Sequence, residues 1–231
     1  MSNIAYHGLR MILDRRALLL GGTSLLAMAA LAGPLSRVAD AQKAKPAPEV
    51  PVEELMKPGE LPDLAFGNPD AKVTIVEYAS MTCSHCAHFH NAVFPELKAK
   101  YIDTGRVRFI MRDFPLDNLA AAGSMLARCA GGDKTYPLIE VLFKKQDEWA
   151  VRNNAVPKLF ELAKQAGFTQ ESFDKCLTDD ALLKKVEDSR TRASEKFGVS
   201  STPTFFINGK RLTGGGTISD FDKALEPLLQ G

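Results

Sequence analysis

Eight residues, CSHCAHFH at positions 83–90, hold two of the four cysteines and three of the four histidines of the chain. Clusters of these side chains can bind a metal, attach a haem or exchange disulfide bonds. Covalent haem attachment needs a histidine directly after the second cysteine, and Ala87 occupies that position. The spacing therefore excludes haem and leaves a metal site or thiol chemistry.

A zinc site is the first of these alternatives. Cys83 and Cys86 could supply two ligands, and the neighbouring histidines could supply the others. Structural zinc sites usually take pairs of ligands from two chain segments, but the sequence contains no second C-x-x-C and no H-x-x-x-H. We therefore expect no bound metal, and we interpret His88 and His90 as solvated or internally hydrogen-bonded helix residues. A metal-binding module stays as the alternative outside the enzymes.

The elements around the cluster place Cys83 at the junction of a strand and a helix. Residues 72–78, KVTIVEY, form a nearly unbroken apolar and β-branched run, which predicts a strand covered on both faces. From Ser84 to about Tyr101, apolar residues recur every three or four positions, which predicts a helix. Pro95 lies inside this helix and is expected to kink it.

This placement favours redox chemistry. A cysteine at the start of a helix faces unpaired backbone N–H groups and the positive end of the helix dipole, and both favour the thiolate. We expect Cys83 to be the acidic nucleophile and Cys86, one turn deeper, to be its disulfide partner. His85 can stabilise the thiolate by a hydrogen bond or by charge, which would make the disulfide a stronger oxidant. Glu77 is expected to be buried and to relay the proton of Cys86, unless it points to solvent from the strand end.

The chain returns to sheet after a long helical segment. Residues 106–112 alternate in a way that predicts a second strand, and residues from about 116 to 196 keep a helical period throughout. Residues 204–212 then predict a hairpin with a tight turn at Asn208-Gly209. The final segment predicts a helix with three apolar residues on one face, namely Phe221, Leu225 and Leu228.

Composition and proline content predict the domain organisation. Hydrophobic residues make up 45% and charged residues 25%, as in soluble globular proteins, and the net charge of +1 gives no indication of a nucleic-acid partner. Residues 42–61 are rich in proline and are expected to form an extended linker, with at most a short turn at residues 53–57. Residues 62–231 are expected to form one domain with a helical insert at about 116–196.

The first 41 residues carry the features of an export signal. Basic residues come first, an apolar run from Ala17 to Leu35 follows, and Ala39-Asp40-Ala41 supplies a small-x-small cleavage site. Cleavage near Ala41 would release a periplasmic protein, and an uncleaved membrane anchor is the alternative. The pair Arg15-Arg16 resembles a twin-arginine signal, and Met11 is a second candidate start.

The other two cysteines, Cys129 and Cys176, lie on apolar faces of the predicted insert helices. In an oxidising compartment, an even number of cysteines favours a disulfide between them. Two free buried thiols are the alternative. Such a bridge would be structural and not catalytic.

Four features together make the chain similar to a known family: Glu77, the motif Cys83-Ser84-His85-Cys86, Thr202-Pro203 and the helical insert. At these positions the chain resembles the DsbA-like thiol-disulfide oxidoreductases of the thioredoxin superfamily, over about Leu61 to Gly231. Pro203 is a candidate for a cis peptide bond, because it begins a strand. The resemblance implies an α/β, thioredoxin-like fold with an inserted all-helical lobe. It also implies that Pro203 faces the disulfide.

The resemblance further implies the oxidation of newly exported proteins. The substrates would be exported proteins with free cysteines, and a quinone-linked membrane partner would reoxidise the enzyme. No metal or nucleotide cofactor is required. Threonine before the proline, here Thr202, also occurs in relatives that isomerise disulfides, so a disulfide isomerase or reductase is the nearest alternative. The segment before the domain is too short for the dimerisation region of known isomerases, which favours an oxidase that is a monomer.

Overall fold

The computed structural model describes residues 49–230 of the chain. The predicted export signal, residues 1–41, lies outside the described residues, and so does the predicted linker up to residue 48. Among the described residues, no helix combines the length and the apolar character that crossing a membrane requires.

Within residues 49–230, five strands form one sheet. They are β1 (Leu64–Phe66), β2 (Val73–Ala79), β3 (Val107–Asp113), β4 (Thr204–Ile207) and β5 (Lys210–Arg211). Their order is β1-β3-β2-β4-β5, with β2 and β3 parallel and the other neighbours antiparallel. β2 is therefore the middle strand. All of its residues except Thr74 are buried, as its continuous apolar run predicts.

Helices flank the sheet and form a lobe between β3 and β4. The helices outside the lobe are α1 (Val52–Met56), α2 (residues 84–102) and α9 (Ile218–Leu229). Those of the lobe are α3 (Asn118–Ala130), α4 (Thr135–Lys144), α5 (Gln146–Trp149), α6 (Ala155–Gln165), α7 (Gln170–Leu177) and α8 (Asp180–Phe197). The predicted α/β architecture with an inserted all-helical lobe is confirmed.

Helix α2 is not a regular α-helix along its length. Two α-helical stretches, Ser84–His88 and Phe94–Leu97, are each followed by a π-helical turn, at Phe89–Val93 and Lys98–Ile102. Pro95 has no N–H group, and its ring would crowd the carbonyl four residues earlier in a regular helix. The sequence predicted a kink in the helix at Pro95. In the structure the irregularity is a π-helical turn that ends two residues before this proline.

The two faces of the sheet bury two separate apolar clusters. Ile75 of β2 and Phe109 of β3 belong to the larger cluster, with residues of α2, α9 and the lobe. Val76 and Ile110, the next residue of each strand, belong to the smaller cluster, with Phe197 of α8. Successive residues of β2 point to opposite apolar layers, and this explains why the strand has no polar face.

The hairpin predicted at Asn208-Gly209 is present between β4 and β5. Both residues have positive φ angles, 46° and 84°, as a tight hairpin turn requires. The Asn208 side chain also accepts a hydrogen bond from the N–H of Thr74 at 2.8 Å. In the helix that follows, Phe221 and Leu225 are buried, whereas Leu228, predicted on the same face, is exposed.

The end of the predicted linker packs on the domain. The N–H of Val50 donates to the carbonyl of Gly209 at 2.9 Å. Leu55 of α1 is 1% exposed and belongs to the smaller apolar cluster, and its carbonyl accepts a hydrogen bond from Arg112 at 2.6 Å. The proline-rich composition predicted an extended segment with a short turn at residues 53–57. The described part of this segment instead holds a short helix that contributes to the core.

Replacing Leu55 tests this packing. Leu55→Ala should lower the free energy of unfolding by about 2–5 kcal/mol, because it leaves a cavity in a closed apolar layer. Val52→Ala is the matched control, since Val52 lies on the same helix but is 45% exposed; it should change stability by less than about 0.5 kcal/mol. Urea denaturation measures both variants. Equal effects of the two substitutions would contradict the packing of α1.

The structure joins Cys129 of α3 to Cys176 of α7 in a disulfide, with their Cα atoms 6.2 Å apart. The bond links the first helix of the lobe to a later one and closes a loop across a sequence separation of 47 residues. Neither cysteine of this disulfide belongs to the cluster at 83–90, which agrees with a structural role for the bond.

Removing this bridge tests its structural role. Cys129→Ser combined with Cys176→Ser should lower the free energy of unfolding by about 4 kcal/mol, because the unfolded chain regains loop entropy. The variant should still oxidise a reduced test peptide, since Cys83 and Cys86 are untouched. A loss of peptide oxidation in a folded variant, or an unchanged denaturation midpoint, would contradict the assignment.

Candidate active site

Cys83 lies between β2 and α2, at the N-cap position of the helix. This is the strand-to-helix junction that the sequence predicted. Cys83 and Cys86 are both free thiols in this structure. Cys83 is 8% exposed, whereas Cys86 is 0% exposed. A sulfur atom of another molecule can therefore reach Cys83 but not Cys86.

The surroundings of Cys83 stabilise its thiolate. They lower the pKa of Cys83 from its ordinary value of 9.0 to about 5. The largest cause is a hydrogen bond from the Cys86 thiol, and Thr202 and the backbone N–H groups of Cys86 and His85 act in the same direction. Burial opposes them, but it is outweighed. At neutral pH Cys83 is therefore a thiolate.

Thr202 offers two groups to the Cys83 sulfur. Its carbonyl oxygen lies 3.2 Å from Sγ and accepts a hydrogen bond from the protonated thiol. Its hydroxyl is buried and has no hydrogen-bond partner among the described residues, so it is available as a donor to the thiolate. The peptide bond between Thr202 and Pro203 is cis, and it lies against the cysteine pair as the sequence predicted.

His85 acts on Cys83 through its backbone. The sequence predicted that its side chain would donate a hydrogen bond or carry a charge for the thiolate. In the structure the side chain is exposed, and the backbone N–H of His85 makes the interaction. The hydrogen bond to the thiolate, which was expected from the imidazole of His85, thus comes from the main chain at the start of the helix.

Cys86 is held as a thiol. Its pKa is raised far above the ordinary range, first by burial and then by the hydrogen bond that it gives to Cys83. The negative charge of Glu77 acts in the same direction. The two sulfurs of the pair therefore differ sharply in acidity, with the thiolate on the accessible one.

Glu77 is fully buried on β2. The alternative in which it points to solvent is therefore wrong. Its Oε2 atom lies 2.9 Å from Nε2 of His90, while its Oε1 atom is buried with no hydrogen-bond partner among the described residues. The charge of Glu77 helps to raise the pKa of the Cys86 thiol, and the relay of the Cys86 proton by Glu77 stays a prediction.

The sequence analysis interpreted His90, like His88, as a solvated or internally hydrogen-bonded helix residue. The hydrogen bond between His90 and Glu77 agrees with the second of these, but this buried partner was not predicted. His88 is exposed, but His90 is buried against Glu77, and its ring stacks on Phe143 with centroids 4.5 Å apart. One signal could have found it, because His90 follows Cys86 by four residues and so shares its helix face.

Gln146 of α5 is a second residue that sequence reasoning missed. Its amide nitrogen donates to the carbonyl of Met81 at 2.8 Å and to the carbonyl of Cys83 at 3.0 Å. The side chain is buried. The helical lobe therefore holds the backbone of the cysteine loop directly, although nothing in the local sequence indicates this contact.

The side chains of the cluster at 83–90 do not converge on a metal position. Within residues 49–230, no group of three or more His, Cys, Asp and Glu side chains is arranged to hold a metal ion. The histidines point in different directions, with His85 and His88 in solvent and His90 in the core.

The hydrogen bond between the two thiols generates a prediction about titration. Cys86→Ala should raise the pKa of Cys83 from about 5 toward its ordinary value of 9.0, because it removes the largest stabilising contact of the thiolate. The ultraviolet absorbance of the thiolate, followed against pH, measures this. In the wild-type protein the absorbance is lost as the pH falls through about 5, and the stabilisation that the thiolate gives to the reduced folded state decreases between the ordinary pKa of 9.0 and about 5.

His85→Ala is the control for this titration, because it removes an exposed side chain and keeps the backbone N–H. Its Cys83 should titrate as in the wild-type protein. If Cys83 also titrated near pH 5 in Cys86→Ala, the Cys86 thiol would not be the main stabilising group.

Comparisons with known proteins agree with this geometry. A thioredoxin family model matches residues 60–227. A protein of Rickettsia bellii named "Putative protein-disulfide oxidoreductase" is 34% identical over 169 residues, which are 73% of this chain and 65% of that protein. The chain thus spans somewhat less than two thirds of the length of this relative.

Solved structures show the same fold. Alpha-DsbA1 of Wolbachia pipientis is 32% identical with a TM-score of 0.70, covering 78% of this chain and 96% of that one. Oxidised BdbD of Bacillus subtilis is 21% identical with a TM-score of 0.65, covering 80% of this chain and 98% of that one, and it supports the fold alone. The thioredoxin-like fold predicted from the sequence is confirmed. The chain therefore belongs to the DsbA-like protein-disulfide oxidoreductases of the thioredoxin superfamily.

Proposed function

We propose that this protein is a periplasmic enzyme that introduces disulfide bonds into exported proteins through the Cys83/Cys86 couple. One observation carries the proposal. The accessible sulfur is a stabilised thiolate with a pKa of about 5, and the inaccessible sulfur beside it is held as a thiol. A pair with this asymmetry favours its reduced form, and a couple whose reduced form is stabilised is a strong oxidant.

The reaction begins with the oxidised enzyme. A substrate thiolate attacks Sγ of Cys83, the bond between Cys83 and Cys86 breaks, and Cys86 leaves and takes up a proton. A second thiolate of the substrate then attacks the substrate sulfur of this mixed disulfide, and Cys83 leaves as a thiolate. Two electrons pass from the substrate dithiol to the enzyme, and the substrate gains one disulfide.

The site favours each of these steps. Cys86 is fully buried, so the first attack falls on Cys83. The low pKa of Cys83 makes it a good leaving group in the second step, because a more acidic thiol leaves faster. The carbonyl of Thr202, which precedes cis Pro203, lies 3.2 Å from the Cys83 sulfur that the substrate attacks. Glu77 is fully buried and its negative charge helps to keep Cys86 protonated, so Glu77 is the proposed relay for the Cys86 proton.

The location and the partners follow from the sequence and the family. Residues 1–41 would serve as an export signal cleaved near Ala41, and the mature protein would act in the periplasm as a monomer. Its substrates would be exported proteins with free cysteines. Because each turnover leaves the enzyme reduced, a membrane redox partner must reoxidise it. The chain's own sulfurs carry the electrons, so no cofactor is needed.

A trapping experiment tests the proposal. In Cys86→Ser the Cys83 thiolate attacks a disulfide of an exported protein and releases one of its two thiols. Cys86 is not there to displace the bound protein, so mixed disulfides on Cys83 should accumulate in periplasmic extracts and be visible on non-reducing gels. Cys83→Ser is the matched control, and it should trap nothing because Cys86 is 0% exposed. If Cys86→Ser trapped no protein and the wild-type enzyme failed to oxidise a reduced peptide, the proposal would be overturned.

A refolding assay separates the proposed oxidase from an isomerase. An oxidase should restore activity to a reduced test protein but not to one with scrambled disulfides. Faster recovery of the scrambled protein would instead assign the chain to the isomerases.

A further inference from the structure

We infer that Gln146 is a positioning residue for the thiol-disulfide exchange: from the helical lobe it fixes the loop that carries the Cys83 sulfur, and it thereby sets part of the oxidising strength of the disulfide. The inference rests on the proposed function and adds to it a chemical role for the lobe. Gln146 acts through the backbone of the loop and not on the sulfur itself.

Gln146 bridges two main-chain carbonyls on either side of Thr82. The Gln146 side chain is buried, and its Nε2 atom lies 2.8 Å from the Met81 oxygen and 3.0 Å from the Cys83 oxygen. Within residues 49–230, the Met81 carbonyl has no other hydrogen-bond donor. A single amide group that donates to both oxygens fixes the orientation of the peptide groups before Thr82 and after Cys83.

The Cys83 carbonyl is also the first acceptor of helix α2. It accepts a hydrogen bond from the N–H of Ala87 at 3.0 Å, and Cys83 has the extended backbone of an N-cap residue, with φ −82° and ψ 117°. In this conformation the side chain of an N-cap residue turns toward the N–H groups of the second and third helical residues, here His85 and Cys86. Gln146 therefore holds, at its carbonyl, the residue whose sulfur must face these two N–H groups.

The thiolate depends on this geometry because hydrogen bonds stabilise it. The Cys86 thiol, Thr202 and the backbone N–H groups of His85 and Cys86 lower the pKa of Cys83 to about 5 against the opposing effect of burial. Hydrogen bonds weaken steeply when donor and acceptor are misaligned, whereas attraction between charges falls off gradually with distance. A small rotation of the loop would therefore cost the thiolate part of its stabilisation.

Helix α5 gives the Gln146 side chain a fixed base. Trp149, at the other end of this short helix, is fully buried, and its Nε1 atom donates to the carbonyl of Leu142 at 2.8 Å. The Trp149 ring also packs closely against α3, since a Cβ atom added at Gly123 would lie 3.2 Å from it. The amide group of Gln146 thus belongs to a part of the lobe that is itself anchored in the core.

A second residue of the lobe holds the loop without touching Cys83. Asp117, the N-cap residue of α3, accepts a hydrogen bond from Oγ1 of Thr82 at 2.8 Å. Among the lobe side chains that the structure describes, only that of Gln146 hydrogen-bonds to Cys83. This contact is the reason to assign the positioning of the nucleophile to Gln146 and not to Asp117.

Loss of the Gln146 contact would make the disulfide a weaker oxidant. In the reduced enzyme Cys83 carries the negative charge, so a less stable thiolate raises the free energy of the reduced form relative to the disulfide. The reaction itself is unchanged: two electrons pass from a substrate dithiol to the bond between Cys83 and Cys86, and one substrate disulfide forms. Only the equilibrium position shifts toward the oxidised enzyme.

Gln146→Met tests the inference, because methionine has a similar length but cannot donate a hydrogen bond. The pKa of Cys83 in the reduced protein should rise, with its acid dissociation constant falling about tenfold, comparable to the loss of one hydrogen bond. The ultraviolet absorbance of the thiolate measures this. At pH 7 the equilibrium constant for reduction of the enzyme by glutathione should also fall about tenfold, which corresponds to about 30 mV.

Two control variants separate positioning from a loss of stability. Gln165→Met makes the same change at an exposed position of the lobe, so both measurements should give wild-type values. Leu159→Ala removes a fully buried apolar side chain of α6, and it should lower the free energy of unfolding without changing the titration of Cys83. If Gln146→Met behaved like Leu159→Ala, Gln146 would have a structural role only, and the inference would be overturned.

A measurement on the wild-type protein covers the case in which Gln146→Met does not fold. In the reduced protein, the NMR signals of the Gln146 side-chain amide should shift as the pH passes through about 5, because a group that stabilises the thiolate responds to its ionisation. In Cys83→Ser this shift should disappear, since no thiolate forms. Identical pH dependence in the two proteins would overturn the inference.

Failure of the proposed function would look different. In that case the wild-type protein itself would not oxidise a reduced peptide. The titration and the NMR measurement use no substrate, so they report on Gln146 whatever the outcome of the peptide assay.

Discussion

The hydrogen bond from the Cys86 thiol to the Cys83 sulfur is the interaction on which the rest of the site depends. It is the largest cause of the low pKa of Cys83, and at the same time it holds the proton on Cys86. Both effects require that the first turn of α2 brings the two sulfur atoms together. They also require that Cys86 is shielded from water while Cys83 stays accessible. The burial of Cys86 and the slight exposure of Cys83 supply this asymmetry.

Much of the fold could be predicted from the sequence because its signals are local. The run at residues 72–78 has the composition of a strand buried on both faces, and Asn208-Gly209 has the conformational freedom of a tight turn. The position of Cys83 at the start of a helix follows from the same local patterns. Leu55 could not be predicted as a core residue, because a single apolar side chain in a proline-rich segment carries no period.

The contacts that complete the site join distant segments, and no local pattern encodes them. Glu77 and His90 lie on different elements, 13 residues apart, and meet only because α2 packs across β2. Gln146 reaches the cysteine loop from 63 residues away. His85 illustrates the opposite case, since its residue type suggested a side-chain role that the structure gives to its main chain.

The contact of Gln146 with the Met81 and Cys83 carbonyls has a consequence for transplanting the motif. The CSHC motif would therefore not keep its properties in a different protein scaffold. Grafted onto a sheet and helix that lack α5, the loop would leave the Met81 carbonyl without its donor, and the sulfur would no longer be anchored by the lobe. The lobe is therefore as much a part of the redox centre as the two cysteines.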